Sequence, residues 1–234
     1  MILQYGTESI TINIIRSKRK TVCLRIKQDG TVEVRGPRMM PDSYVREFIQ
    51  SKADWIIQKR KEVALQQSKK RAHTYQSGDI FGYLGEEYVL TLAAAGRKRI
   101  EVVQEERKII LHTTSFEAKA VEKYLKEWYK KQAFVYIEER VKYYKQIIPG
   151  KVASVLMENR KGRWGSCNSH GELTFNWRLM MAPPEIIDYV VVHELCHLRH
   201  MDHSKEFWNA VGSVLPDYKN KIKWLKDNGA GLSF

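Results

Sequence analysis

Hydrophobic positions recur at two periods along this chain, and the changes of period outline its elements. In residues 1–35, Ile10, Ile12 and Ile14 alternate with polar neighbours, and Val22, Leu24 and Ile26 repeat the pattern. A period of two is that of a half-buried strand. Gln28-Asp29-Gly30 supplies a tight turn before Val32 and Val34. Gly36-Pro37 and Pro41 interrupt the strands, and Asp42 or Ser43 can cap a helix. The period of 3.6 predicts that this helix runs to about residue 70, with Tyr44, Val45, Phe48, Trp55, Ile56 and Val63 inward.

From Gly78 to His112 the period returns to two. Strands are expected at Ile80–Leu84, Tyr88–Leu92, Ile100–Gln104 and Ile109–His112, joined as an antiparallel meander. Residues 116–147 read as a long amphipathic helix with Val121, Tyr124, Leu125, Trp128, Phe134, Val135 and Ile137 on its buried side, closed by Pro149-Gly150. Two more strands, Val152–Glu158 and Leu173–Trp177, flank a loop with glycines at 162, 165 and 171 among bulky residues. Pro183 and Pro184 then open a helix with Ile186, Ile187, Val190, Val191, Leu195 and Leu198 at helical spacings. Ser204 can cap a short helix from Phe207 to Leu215, and Pro216 or Asp217 can start a last one through Trp224. The pattern as a whole predicts an α+β chain. An antiparallel, β-rich N-terminal region with one long helix occupies 1–115, and an α+β domain occupies 116–234. No internal repeat or low-complexity tract is visible in the sequence.

With 234 residues and 43% hydrophobic content the chain can build a substantial core. Its net charge of +13 is unevenly spread. Residues 1–75 hold 16 basic and 7 acidic side chains, 76–115 hold 5 and 6, and 116–234 hold 19 and 14. A basic first third suits an anionic partner, nucleic acid, nucleotide or acidic membrane surface, as well as a plain solvated surface. Two dense stretches stand out, Arg16-Ser17-Lys18-Arg19-Lys20 and the run from Lys59 through Arg71. Cys23, Cys167 and Cys196 are widely separated and form no C-x-x-C pair, so neither a thiolate zinc knuckle nor a disulfide framework is suggested. The first residues lack a signal-peptide layout and no apolar run reaches spanning length, so a cytoplasmic setting is expected.

The chemistry is concentrated in residues 186–208. His193, Glu194 and His197 form H-E-x-x-H, and on a helix the two histidines share a face and can present two imidazoles to one ion. Glu194 points aside from that pair, where a carboxylate reaches metal-bound water without ligating the metal. Catalytic zinc commonly takes three protein ligands and a water, and the third can be His203, His200 or Glu206. Side chains seven residues apart on one straight helix stand about 10 Å apart, too far for His193 and His200 to share an ion. A chain reversal at Met201-Asp202 would bring His203 inward, at the spacing of the third ligand in H-E-x-x-H-x-x-G-x-x-H proteases. His203 is therefore preferred, His200 second and Glu206 third. His170 and His112 read as bystanders. The glycine-rich loop is expected to pack beside the site, with Trp164 as a wall and Arg163 and Arg178 as candidate anion or substrate contacts.

Arg163-Trp164-Gly165-Ser166-Cys167, then Asn176 and Leu179, then Asp188 through Leu198, then His203-Ser204 and Phe207-Trp208 together resemble the YgjP-like metallopeptidase family, related to SprT-like and other zincin-type proteins. The resemblance implies a zincin-like (minigluzincin-like) catalytic core with a zinc ion on His193, His197 and His203, and Glu194 as the catalytic glutamate. It leaves the substrate open, since members are described as hydrolases or peptidases and some as acting on nucleoside triphosphates.

Three functional classes follow. A zinc peptidase acting on peptide or protein would use Glu194 as general base on zinc-activated water and would need an exposed strand edge, for which Leu173–Trp177 is the candidate. A nucleoside triphosphate hydrolase would use the cations, although no P-loop or carboxylate cluster for magnesium is visible. A nucleic-acid-binding protein with a structural zinc would have no use for Glu194.

Overall fold

The computed structural model describes residues 1–5, 8–27, 29–68, 72–160 and 162–234. Gln28 of the expected turn, residues 69–71 of the basic run and Lys161 of the glycine-rich loop lie outside the described residues. The chain is α+β, and it forms two compact units, Met1–Lys70 and Arg71–Phe234. This division differs from one at 115/116, because the strands between 80 and 113 share a core with everything that follows them.

In the first unit β1 (Ile2–Tyr5), β2 (Glu8–Ser17), β3 (Cys23–Ile26) and β4 (Val32–Pro37) form a sheet of order β1-β2-β4-β3. β2 and β4 run parallel, whereas β1 pairs with β2 and β3 with β4 antiparallel. The alternation read in the sequence places Leu3, Ile10, Ile12, Val32 and Val34 inward, against Val45, Ile49, Ile56 and Ile57. Each such side chain contributes about 1.5–3 kcal/mol by leaving water. The expected single helix is two, α1 (Asp42–Ser51) and α2 (Ala53–Ser68), with Lys52 out of helical geometry between them at φ −112°, ψ 11°.

The second unit opens with β5 (Ile80–Tyr83), β6 (Glu86–Ala94), β7 (Arg99–Val103) and β8 (Lys108–Thr113), in the order β5-β6-β8-β7. The expected antiparallel meander is thus corrected, since β6 and β8 are parallel neighbours and β7 is an edge. Strand alternation is identical in the two arrangements, so periodicity could not choose between them. The long helix α3 (Ala118–Tyr144) follows, burying Val121, Leu125, Tyr129, Ala133, Ile137 and Val141.

These elements repeat those of the first unit. The strand order and strand directions are the same, and four residues separate β4 from α1 as they separate β8 from α3. The helix caps match as well, Pro41 at φ −63°, ψ 146° and Glu117 at φ −63°, ψ 131°. The 27 residues of α3 correspond to residues 42–68 of the first copy. Val45, Ile49, Ala53 and Ile57 occupy the places of Val121, Leu125, Tyr129 and Ala133, and all are buried. The apolar pattern has been kept while residue identities changed, which hid the repeat from the sequence.

Only the second copy continues. A third sheet, of order β10-β11-β9, consists of β9 (Ser154–Glu158), β10 (Gly165–Cys167) and β11 (Glu172–Asn176). A 3-10 turn (Trp177–Met181) then leads into α4 (Pro184–Cys196), α5 (Lys205–Val214) and α6 (Tyr218–Asn228). The β5–β6 turn braces the entry to α4. Leu84 and Gly85 both have positive φ, 50° and 85°, as a tight hairpin turn requires. The Leu84 N–H donates to the Met180 carbonyl at 2.8 Å, and a β-carbon on Gly85 would lie 2.8 Å from Pro183 Cα. Among the described residues no helix is long and apolar enough to cross a membrane.

Candidate metal centre

The helix α4 begins as its sequence predicts, with Pro184 in its first turn and Glu185 beside the positive end of the helix dipole. It is buried on nearly every side, through Ile186, Ile187, Val190, Val191, Val192 and Leu195. Arg140 on α3 fixes its position by donating to both carboxylate oxygens of Asp188, at 2.6 and 2.8 Å, and the Tyr144 hydroxyl donates to the same carboxylate at 3.1 Å.

Helical geometry stops at Cys196, with His197 as the C-cap, and the chain bends again at Met201-Asp202, where the sequence predicts the reversal. The chain turns through 197–199, and Ser204 then caps α5, its hydroxyl accepting from the Phe207 N–H. This path returns His203 to the helix. The ring nitrogens converge, with His193 Nε2 3.2 Å from His197 Nε2 and 3.1 Å from His203 Nε2. All three candidate donor atoms lie within 4.8 Å of one another.

The surroundings hold the rings in place. The fully buried Phe207 ring packs against all three imidazoles, at 4.4 to 4.9 Å between centroids. Trp208 stacks on His203 at 5.6 Å and on Tyr218 at 5.3 Å. His197 Nδ1 is 2.8 Å from the His200 carbonyl, and His193 Nδ1 is 3.3 Å from the Tyr189 hydroxyl. With a proton on each of those Nδ1 atoms, the Nε2 lone pairs are left for a metal. Tyr189 was not singled out from the sequence, although its position one helical turn before His193 was a usable signal. Burial, reinforced by His197 and His203, lowers the His193 pKa to about 3, so its ring is neutral and able to ligate.

His200 thus lies at the site through its backbone, and its ring is outside the converging group. Glu206 sits in the first turn of α5, also outside that group. His170 is exposed in the turn before β11, and His112 faces Arg99 and Glu101.

Glu194 is 4% exposed, and its Oε2 is buried without a hydrogen-bond partner. Burial raises its pKa to about 8, against the opposing charge of Arg163. The expected proximity of the glycine-rich loop appears here as contact through β10, with Gly165 against the Glu194 side chain. The Glu194 charge and, more strongly, burial raise the Cys167 thiol to about 11, which keeps it protonated and inert. The loop is anchored by Asn176, whose side chain donates to the Arg160 carbonyl at 3.0 Å and whose N–H donates to the Trp164 carbonyl at 2.8 Å. The Trp164 ring lies against Gly229 at the end of α6. Arg163 is exposed. Arg178 packs over the Trp177 ring and near Tyr75, and among the described residues none of its contacts reaches the imidazoles or Glu194.

Three converging imidazoles and a buried carboxylate oxygen lacking a partner fit a divalent ion, which His193, His197 and His203 would hold and which would supply an activated water beside Glu194. Among the described residues no other group of histidine, cysteine or carboxylate side chains is so arranged.

The YgjP-like, metallopeptidase domain model matches residues 20–228. A solved structure, the metallopeptidase zymogen of Pyrococcus abyssi abylysin, aligns with 23% identity over 37% of this chain and 90% of its own, at a TM-score of 0.34. No curated protein matches the chain.

Proposed function

The chain belongs to the YgjP-like metallopeptidase family, and from that premise we propose a zinc-dependent peptidase with ligands His193, His197 and His203 and with Glu194 as general base. The observation that supports this most is the partnerless, buried Glu194 oxygen on the helix that carries His193, beside the converging imidazoles. Zinc bound there would lower the pKa of a coordinated water towards neutrality and polarise a peptide carbonyl. Glu194 takes the proton from the attacking water and delivers it to the leaving amine. A carboxylate pushed towards neutral pH by burial suits both transfers. Exposed Arg163, whose charge reaches Glu194, is the candidate for contacting negative charge on the substrate, and Trp164 walls the loop.

Substrate strand addition is reassigned. Leu173–Trp177 cannot offer an edge, because β11 is the middle strand, paired with β9 and β10. The edge strand against α4 is β10, and an extended peptide laid along it would pass Glu194.

The test is to assay the wild type and Glu194→Gln, at matched zinc content, on casein-derived peptides and on a panel of nucleoside triphosphates. Peptide cleavage that disappears in the variant supports the proposal. Glu194-dependent triphosphate cleavage with no peptide cleavage would replace it with phosphoanhydride hydrolysis. Inertness of the zinc-loaded wild type towards both classes would leave a binding protein with structural zinc.

A further inference from the structure

The first copy of the repeated scaffold gathers cations at one end of its sheet. β2 and β4 are parallel and end together, Ser17 opposite Pro37, and β3 begins beside them with Cys23 opposite Arg35. The 18–22 and 38–41 connections and the first turns of α1 therefore gather at this end. They bring together Arg16, Lys18, Arg19, Lys20, Arg38 and Arg46. The acids there are Asp42, which is tied to Arg16, and Glu47. Lys18, Lys20, Arg38 and Arg46 are exposed and make no ion pair among the described residues. The other acids lie elsewhere. Glu8, Asp29 and Asp54 are at the opposite end, and Glu33 is buried mid-strand between Lys27 and Arg35.

The second copy offers an internal comparison. At the places of Arg16, Arg38 and Arg46 stand Ala94, Thr114 and Glu122, and Glu122 pairs with Lys126. The connection matching 18–22 carries Arg97 and Lys98, with Lys98 over the Tyr124 ring at 4.1 Å, and Arg99 just beyond it faces Glu101 at 3.8 Å. Both copies thus place cations at this end, the second through Arg97, Lys98, Arg99, Lys119 and Lys123; the first copy holds six, of which Arg16 alone is ion-paired among the described residues. Four of its six are arginines, whose planar fork fits phosphate oxygens. Met39, 92% exposed, Tyr44 and Ile15 are exposed apolar side chains of this end. They fall short of the apolar face that an interfacial helix inserts into lipid, but Tyr44 offers a ring on which a base can stack.

We infer that this end of the N-terminal unit is a binding surface for single-stranded nucleic acid, gripped by its phosphates without sequence preference. The inference stands apart from the peptidase reading, since it uses no residue of the metal centre.

The test uses the full chain and a fluorescein-labelled oligothymidine of about twenty nucleotides, followed by anisotropy from about 50 to 200 mM salt. The triple variant Lys18→Gln, Lys20→Gln, Arg38→Gln should bind ~10-fold more weakly or worse at the lowest salt. Its slope of log affinity against log salt should fall by about two, each lost phosphate contact contributing ~0.7. The α3 variant Lys119→Gln, Lys123→Gln should shift affinity less than about two-fold. Unchanged thermal midpoint and zinc content identify the triple variant as folded. An oligonucleotide that does not bind the wild type, or that binds the triple variant equally well, overturns the inference. So does capture by phosphatidylserine vesicles without capture by the oligonucleotide, which would mark a membrane surface.

Discussion

Gly165 leaves Glu194 the space it occupies: a β-carbon on Gly165 would lie 2.6 Å from Glu194 Cγ and 2.8 Å from its Cδ. Neither atom can yield easily, because Glu194 is on a buried helix and Gly165 is held to Phe175 in the β10–β11 ladder. Gly165→Ala is expected to displace the carboxylate and lower peptidase kcat by about 100-fold, the usual result of a misplacement near 1 Å. Zinc content should stay at the wild-type level, since the imidazoles are not touched. Full activity in this variant would mean that the position of Glu194 is not set by β10.

Zinc affinity should rank the histidines. His203→Ala removes a converging donor, whereas His200→Ala keeps the carbonyl that faces His197 Nδ1. Competition with a chromogenic chelator should therefore show a large loss for the first and little for the second. Tyr189→Phe, which removes the partner of His193 Nδ1, should weaken zinc about 10-fold, at the lower end for such supporting groups. Equal weakening by His200→Ala and His203→Ala would contradict the convergence.

The clamp between α3 and α4 is expected to matter for stability. Breaking a buried ion pair costs about 3–5 kcal/mol, but Arg140 and Asp188 remain 26% and 16% exposed. Discounting for solvent, Asp188→Ala should lose about 2 kcal/mol in urea unfolding. Arg140→Met combined with Asp188→Leu should recover part of that loss. A single variant as stable as the wild type would show that the clamp holds nothing.

The metal-free chain should show a pH dependence that can be assigned. Burial raises Glu194 from 4.5 to about 8, so the folded state holds a proton that the unfolded state releases, and stability falls as pH rises through that window. Burial lowers His193 from 6.5 to about 3, so the folded state lacks a proton the unfolded state takes up, and stability rises from about 3 to 6.5. The two oppose each other between 4.5 and 6.5, leaving a decline between 6.5 and 8. That decline should reach up to about 1.4 kcal/mol per pH unit. Thermal midpoints of the chelator-treated chain should show it in the wild type and not in Glu194→Gln. Parallel profiles would assign it to another group.

The metal helix and the return of His203 were legible in the sequence because both are short-range. Apolar spacing places residues 186–195 on one buried helix, and six residues are enough for the chain to turn back. The packing of residues 163–167 beside Glu194 was legible from glycines crowded among large side chains. Strand order was not, since Leu90 and Ile109 alternate in the same way whichever neighbour they pair with. The boundary at 70/71 was hidden for a related reason. Whether Phe81, Leu90 and Leu111 bury against the helix before them or after them depends on contacts that no local period encodes. Arg178 looked suitable from its charge and its nearness in sequence to β11, but the 3-10 turn directs it to Trp177 and Tyr75.

The duplicated scaffold gives this protein a reference state within its own chain. Where the first copy has Ala53, Ala64 and Ser68, the second has Tyr129, Arg140 and Tyr144. Tyr129 donates to the Gly82 carbonyl at 2.6 Å, and the other two grip Asp188 on the metal helix. The first copy forms its sheet and helices without any of the three. The cost of ordering Arg140 and Tyr144 is therefore borne for the segment that follows α3, not for the scaffold. Position-by-position subtraction of one copy from the other sorts the residues that make the framework from those recruited to hold a reaction upon it.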